Sequence, residues 1–346
     1  MREPAKHGRR RRSTTGQQVS AVTMQYVPDQ ASDRPIVSVI IANHNGAAFL
    51  LGAILSAQQQ TLRQIEIIVS DDGSDDDSVG IVRRMMKDDA RIRLIQSESN
   101  RGPAAARNAA LAVARGEWIA ILDSDDLMHP ERLSKLLDAA RRDRAELIAD
   151  NLLEFYEDNS LPPKPMLNGR WAAGPQWVTV ADFVELNRFY TNGPNLGYLK
   201  PLIRAPMLSG AYRYDESLTI GEDYDLVARL LNAGKKLRVY PDTWYFYRKH
   251  SASLSRRPSK NALAALEALK AAHLRFLSHV PPNDKRLLAA LNARQQSLDT
   301  ALLFQKLVES LKAGRWLQSL QIAIANPRVA ALLRIPIGAC LRRLIP

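Results

Sequence analysis

The chain has 346 residues, 46% of them hydrophobic, and a single cysteine, Cys340. That length admits two domains, or one large domain with an appendage; one cysteine excludes an internal disulfide and a cysteine-rich zinc site, and fits a reducing cytosol. The net charge of +12 is uneven: residues 1–34 hold seven basic and three acidic side chains, residues 35–250 hold 26 and 29, and residues 251–346 hold 15 and 4, so an anionic partner is expected against the C-terminal third.

Residues 1–34 open with "MREPAKHGRRRRSTTGQQVS", which is basic but lacks the apolar core of a secretory signal and reads as a disordered leader. From Ile36 strand-like and helix-like segments alternate. "IVSVIIA" (36–42) predicts a strand covered on both faces, and "AAFLLGAILSAQQQ" (47–60) has helical spacing. "IEIIVSD" (65–71), "IRLIQ" (92–96) and "EWIAILD" (117–123) continue the strands, with helices predicted over 77–88, 103–114 and 130–143. Repeated βαβ units imply an α/β fold with a mostly parallel sheet, helices on both faces, and ligands outside the carboxyl ends of the strands. Residues 151–200, rich in proline, glycine and aromatics, read as an irregular excursion. A helix is expected over 221–234, then one or two short strands in "KKLRVYPDTWYFYRKH", then helices from 259 onward. No stretch reaches the roughly 18 uninterrupted apolar residues of a spanning helix.

The chemistry gathers at the predicted strand ends. "DSDD" sets Asp123, Asp125 and Asp126 directly after an apolar strand; clustered carboxylates are costly to desolvate unless a cation compensates them. A divalent Mg²⁺ or Mn²⁺ ion, held by one or two carboxylates and substrate phosphates, would do so. Neither a GxxxxGK[ST] nor a GxGxxG phosphate loop follows the first strand, and no G-x-S-x-G elbow is present.

Six ordered segments, "VSVIIANHNGAAFLLGAILSAQQQT", "EIIVSDDGSDDD", "NRGPAAARNAAL", "GEWIAILDSDDLMHPERL", "GEDYDLVARLL" and "YRKHSASLS", resemble the inverting family-2 glycosyltransferases of the GT-A fold, over about residues 36–255. Among these the chain is most similar to bacterial cytoplasmic enzymes of succinoglycan-type exopolysaccharide assembly. The resemblance implies a GT-A domain over 35–255, and the charge and helical pattern beyond it give a basic helical region over 256–346. It also implies a UDP-sugar donor, with glucose as one such sugar, and a lipid-diphosphate-linked oligosaccharide acceptor. By the same resemblance Asp125 binds the metal, Asp123 holds the ribose or the same ion, and Ser124 lies in the nucleotide-sugar site. Asp126 either joins them or caps the next turn. Asp71 or Asp72 accepts from a uracil N–H, and Arg107 faces the nucleotide or solvent. Asp223 is the general base that inversion requires, with Glu222 beside it and Arg248 and His250 near the leaving diphosphate. Burial near Glu222 and Asp225 is expected to raise the pKa of Asp223, with the metal pulling the other way. Without the ordered motifs, "GEDYD" reads as an acidic first turn facing a helix dipole. The first strand ends "ANHN" where the family commonly reads Pro-x-Tyr-Asn, so Ala42 and His44 replace the proline and tyrosine.

The tail "RVAALLRIPIGACLRRLIP" (328–346) mixes aliphatics with four arginines. It fits a basic helix on the inner face of an anionic cytoplasmic membrane, or a subdomain packed on the core. Three rival functions are weaker. A nucleotidyltransferase needs a Gly-rich loop. A nucleic-acid binder needs stacking aromatics among its basic residues, and beyond residue 258 only Phe276, Phe304 and Trp316 occur. A catalytically silent homologue would lack Asp125 or Asp223.

Overall fold

The computed structural model describes residues 23–24, 34–191, 193–250 and 261–334. The expected leader, the 255/256 boundary and residues 335–346 of the expected basic tail lie outside these, apart from Arg34 and β1 (Thr23–Met24), which pairs antiparallel with the edge of the sheet. The expected alternation then follows: β2 (Val37–Asn43), α1 (Ala47–Gln58), β3 (Ile65–Asp72), α2 (Ser78–Asp88), β4 (Ile92–Ser97), α3 (Pro103–Val113) and β5 (Trp118–Ile121). Every residue of β3 is buried. Successive strand side chains point to opposite faces, so that sheet is covered on both sides.

The second half is β6 (Leu127–Met128), α4 (Arg132–Asp143), β7 (Leu147–Tyr156), β8 (Lys164–Pro165), β9 (Gln176–Val178), α5 (Val180–Glu185), β10 (Leu202–Arg204), α6 (Glu222–Asn232) and β11 (Leu237–Lys249). Here the structure corrects the reading of residues 151–200: they begin inside a ten-residue strand, β7. β11 is likewise one strand of 13 residues. Its register shifts between Tyr240 and Tyr245, around Pro241, which has no N–H for the ladder; Asp150 accepts the Trp244 N–H there at 3.1 Å.

The described strands form one sheet in the order β1-β4-β3-β2-β5-β10-β7-β11-β6, with β8 on β7 and β9 on β11. β4, β3, β2 and β5 are parallel, β7 and β11 are parallel to each other, and β10 runs antiparallel between β5 and β7. The chain order reverses at β2, which opens a crevice at the carboxyl ends of β2 and β5.

Beyond it lie α7 (Ala262–Leu277), α8 (Lys285–Lys312), α9 (Trp316–Ala325) and α10 (Pro327–Ala331). α7 and α8 pack on α6 and α5. Leu269 of α7 joins Leu218 and Leu298 in an apolar cluster and covers Gly221, where a Cβ would stand 2.9 Å from Leu269 Cδ1. Gly221 has φ +73, in the left-handed region, so a side chain is excluded twice. From α8 the buried Arg294 lays its guanidinium 3.9 Å over the ring of Tyr224. Packing on the core therefore holds for α7 and α8. Among the described residues no helix is long and apolar enough to cross a membrane.

His273 of α7 is buried beside Arg294, Nδ1 to Nη1 3.2 Å. Burial and then the Arg294 charge push its pKa down from 6.5 to about 4. The unfolded chain therefore takes up the proton first as pH falls, and stability conferred by neutral His273 is present above about pH 6.5 and lost toward pH 4. Thermal melts across that range should show a steeper acid decline for wild type than for His273→Gln.

Candidate active site

β5 delivers "DSDD" to the crevice, and each of its carboxylates has a different partner. Asp126 is fully buried. It accepts from Tyr245 Oη and from the Arg248 N–H, both at 2.8 Å. Burial, with Asp125 and Asp123 nearby, pushes its pKa well above the usual carboxylate range. It ties β5 to β11, which settles the open reading of this residue: it caps no turn and has no surface for a ligand.

Asp123 is held by two buried cations, Arg107 Nη2 at 3.0 Å on Oδ1 and Lys200 Nζ at 2.7 Å on Oδ2. Burial alone would raise its pKa, but Lys200 and Arg107 hold it low. Part of the cation expected at this strand end is thus supplied by the protein. Asp125 is more open. Its Oδ2 meets His250 Nε2 at 2.9 Å, and its backbone carbonyl accepts from Arg248 Nε at 2.7 Å. His250 packs on Phe49 with ring centroids 4.4 Å apart, and the Arg248 guanidinium lies between Phe49 and Phe155, 5.0 and 4.9 Å from their centroids. Ser124 lies against the turn into α1; a Cβ on Gly46 would come within 3.2 Å of its hydroxyl.

Asp223 enters from the first turn of α6. Its Oδ2 accepts from Lys200 Nζ at 2.8 Å, and Oδ1 is 3.6 Å from Arg107 Nη1. Glu222 Oε1 takes the same Arg107 nitrogen at 2.5 Å. The expectation of a raised pKa for Asp223 is overturned. Burial does raise it, but Arg107, Lys200 and a Tyr214 hydrogen bond bring it down to about 2. Asp225 faces away, paired with Arg229 at 2.8 Å.

Arg107, read as facing nucleotide or solvent, is instead buried with Asp123, Glu222 and Asp223, its guanidinium 5.4 Å over Tyr214. Lys200 is a site residue that the sequence reading misses, since a lone lysine in "YLKPLIRA" is its only signal. The β10–β5 register explains its reach. Leu202 pairs with Ala120, so Lys200 falls opposite Leu122, next to Asp123. Its main chain is fixed as well. Arg132 pairs with Asp150, both fully buried, and donates to the Lys200 carbonyl at 2.5 Å.

Asp71 and Asp72 lie at the end of β3 as expected, both buried. Asp71 accepts from Asn43 Nδ2 at 2.9 Å and from Ser74 Oγ at 2.6 Å. Asp72 accepts the N–H groups of Arg101 and Gly102, the latter at 2.7 Å, and lines a crevice with Ser70, Ile95, Ser97, Arg101 and Ala105. Within "DGSDDD", Asp76 accepts the Ala47 N–H at 2.9 Å and so caps α1 from a neighbouring loop. His44, at the departure from the family pattern, meets the Asp72 carbonyl at 2.9 Å.

Residues 38–208 match the family model "Glycosyl transferase family 2". The succinoglycan biosynthesis protein ExoO of Rhizobium meliloti (strain 1021) is 35% identical over 312 residues, 90% of this chain and 87% of that one. The chain belongs to glycosyl transferase family 2. This family-2 enzyme is also 35% identical to ExoU of the same organism over 212 residues, 60% of each chain. Among solved structures, S. aureus TarS in complex with UDP-GlcNAc aligns with TM-score 0.62 at 21% identity, covering 86% of this chain and 83% of that one. Mannosyltransferase PcManGT from Pyrobaculum calidifontis, in complex with GDP-Man and Mn²⁺, aligns with TM-score 0.55 at 18% identity, covering 92% and 84%. The GT-A fold and a nucleotide-sugar-dependent transferase thus agree with the arrangement of strand ends in the crevice.

Removing one member of a buried ionic cluster leaves its partners uncompensated. Arg107→Met should lower the unfolding free energy by about 3–5 kcal/mol in urea denaturation, because Asp123, Glu222 and Asp223 all lose a cation.

Proposed function

We propose that this enzyme transfers a hexose, with inversion and a β linkage, from a UDP-sugar to a lipid-diphosphate-linked oligosaccharide in exopolysaccharide assembly. One observation carries the reading: Asp223 stands beside Asp123, the two carboxylates bridged by the Lys200 ammonium and by Arg107. That arrangement sets an ionised carboxylate beside the strand ends where a sugar diphosphate would sit. The relatives named for succinoglycan biosynthesis support the pathway, and the TarS complex with UDP-GlcNAc supports a UDP-sugar.

Asp223 is the general base, taking the acceptor hydroxyl proton as that oxygen attacks the anomeric carbon. Held at a pKa of about 2, it is charged and available at neutral pH, though a weak base, so proton transfer accompanies attack rather than preceding it. Lys200 and Arg107 orient the carboxylate, and Glu222 orients Arg107. Arg248, fixed between two rings, and His250 stabilise the departing UDP. Asp71 and Asp72 shape the base pocket, and Ser124 borders the sugar diphosphate.

A divalent ion fits this donor set. Asp125 offers the open carboxylate beside the His250 imidazole, and hard ions with few protein ligands complete their shell from substrate phosphates; PcManGT with Mn²⁺ supports the same reading. Asp125 would hold Mg²⁺ or Mn²⁺, with Asp123 behind it anchoring the two protein cations. Bound there, the ion would offset the charge of the diphosphate. The lipid-linked acceptor and the net basic charge of residues 251–346 support a peripheral position on the inner face of the cytoplasmic membrane.

A panel of nucleotide sugars with Mn²⁺, followed by diphosphate release, tests the assignment. One UDP-sugar should dominate, and chelation should abolish turnover. Asp223→Asn should lower kcat by about 10²–10⁴ with little change in KM. Wild-type turnover by Asp223→Asn removes the base, and metal-independent turnover removes the role of Asp125.

A further inference from the structure

Helix α9 turns its apolar side chains outward. Trp316, Leu317, Leu320 and Ile324 are 70, 80, 58 and 69% exposed, whereas Ser319 is buried. At about 100° per residue these four fall within an arc of about 100°, and Ser319 falls outside it. The helix rests on α8 and α10. A helix of a globular protein turns such an arc toward its core; single exposed leucines need no explanation, but a continuous row marks a contact surface.

The surrounding charge selects what covers it. No acidic residue follows Glu309 in the sequence, whereas Lys312, Arg315, Arg328, Arg334, Arg342 and Arg343 do. Lys312, Arg315, Arg328 and Arg334 are exposed. In an isologous contact with a second copy, these cations would face one another. An anionic lipid surface instead pairs them with phosphates and takes the apolar row into the headgroup–acyl boundary. With ten residues, α9 is about 15 Å long, half the thickness of the hydrocarbon layer, which suits lying in the interface rather than crossing it.

We propose that α9 is a membrane-docking helix, with Trp316, Leu317, Leu320 and Ile324 buried in an anionic bilayer surface and Lys312, Arg315 and Arg328 meeting lipid phosphates. The proposal rests on the peripheral membrane position of the proposed function and names the surface responsible.

The full chain is sedimented with vesicles of phosphatidylcholine alone and of phosphatidylcholine with an equal part of phosphatidylglycerol, at low and high salt. Wild type should bind the phosphatidylglycerol vesicles, less so at high salt. Leu317→Glu with Leu320→Glu should weaken binding at least tenfold, and Lys312→Glu with Arg315→Glu should remove the preference for phosphatidylglycerol. The Trp316 emission, taken as the difference between wild type and Trp316→Phe, should shift to the blue on binding. Diphosphate release with a water-soluble acceptor should be the same in all variants; it reads the transferase separately, so failure there does not touch the docking result. Wild type remaining in the supernatant overturns the proposal. So does undiminished binding by the double leucine variant, or a wild-type dimer that this variant converts to monomer.

Discussion

A buried cluster of two cations and three carboxylates organises this enzyme. Arg107 and Lys200 stand between Asp123 on one side and Glu222 and Asp223 on the other. These five side chains come from α3, the segment before β10, the end of β5 and the start of α6, so no element can move without exposing a charge to an uncompensated interior. Formal charges leave the cluster one negative unit in excess. That excess falls beside the proposed base, Asp223.

The cluster is held by further shells. Arg132 and Asp150, fully buried, fix the Lys200 main chain and close the break in β11. Tyr245 and the Arg248 N–H hold Asp126, so β11 carries Arg248 and His250 to Asp125. From the other side, Leu269 seats on Gly221 and Arg294 on Tyr224. The C-terminal helices therefore brace the helix that bears the proposed base, and their basic, apolar outer surface is open to a second role.

Much of this arrangement is legible in the order of residues. The apolar run of β2 reads as a covered parallel strand because a strand buried on both faces has no reason to alternate. The ordered acidic segments point to Asp125 and Asp223. β7 escapes such a reading because "DNLLEFYEDN" leads into a proline-rich stretch, and polar Asp150 and Asn151 interrupt its apolar run; their burial depends on Arg132 and on the Leu167 main chain. The sign of the Asp223 shift escapes it too, because the deciding cations, Arg107 and Lys200, are 116 and 23 residues away along the chain.

By itself the sequence determined which residues could carry charge and where strands would end, since hydrophobic period and turn chemistry are local properties. It also determined the uneven distribution of basic residues. Only the tertiary structure decided which charges meet. The antiparallel register of β10 brought Lys200 to Asp123, the packing of α3 turned Arg107 inward, and the seating of α9 left its apolar row facing out. Pairing energies depend on distances of a few ångströms and on burial, and neither is a property of any one stretch of chain.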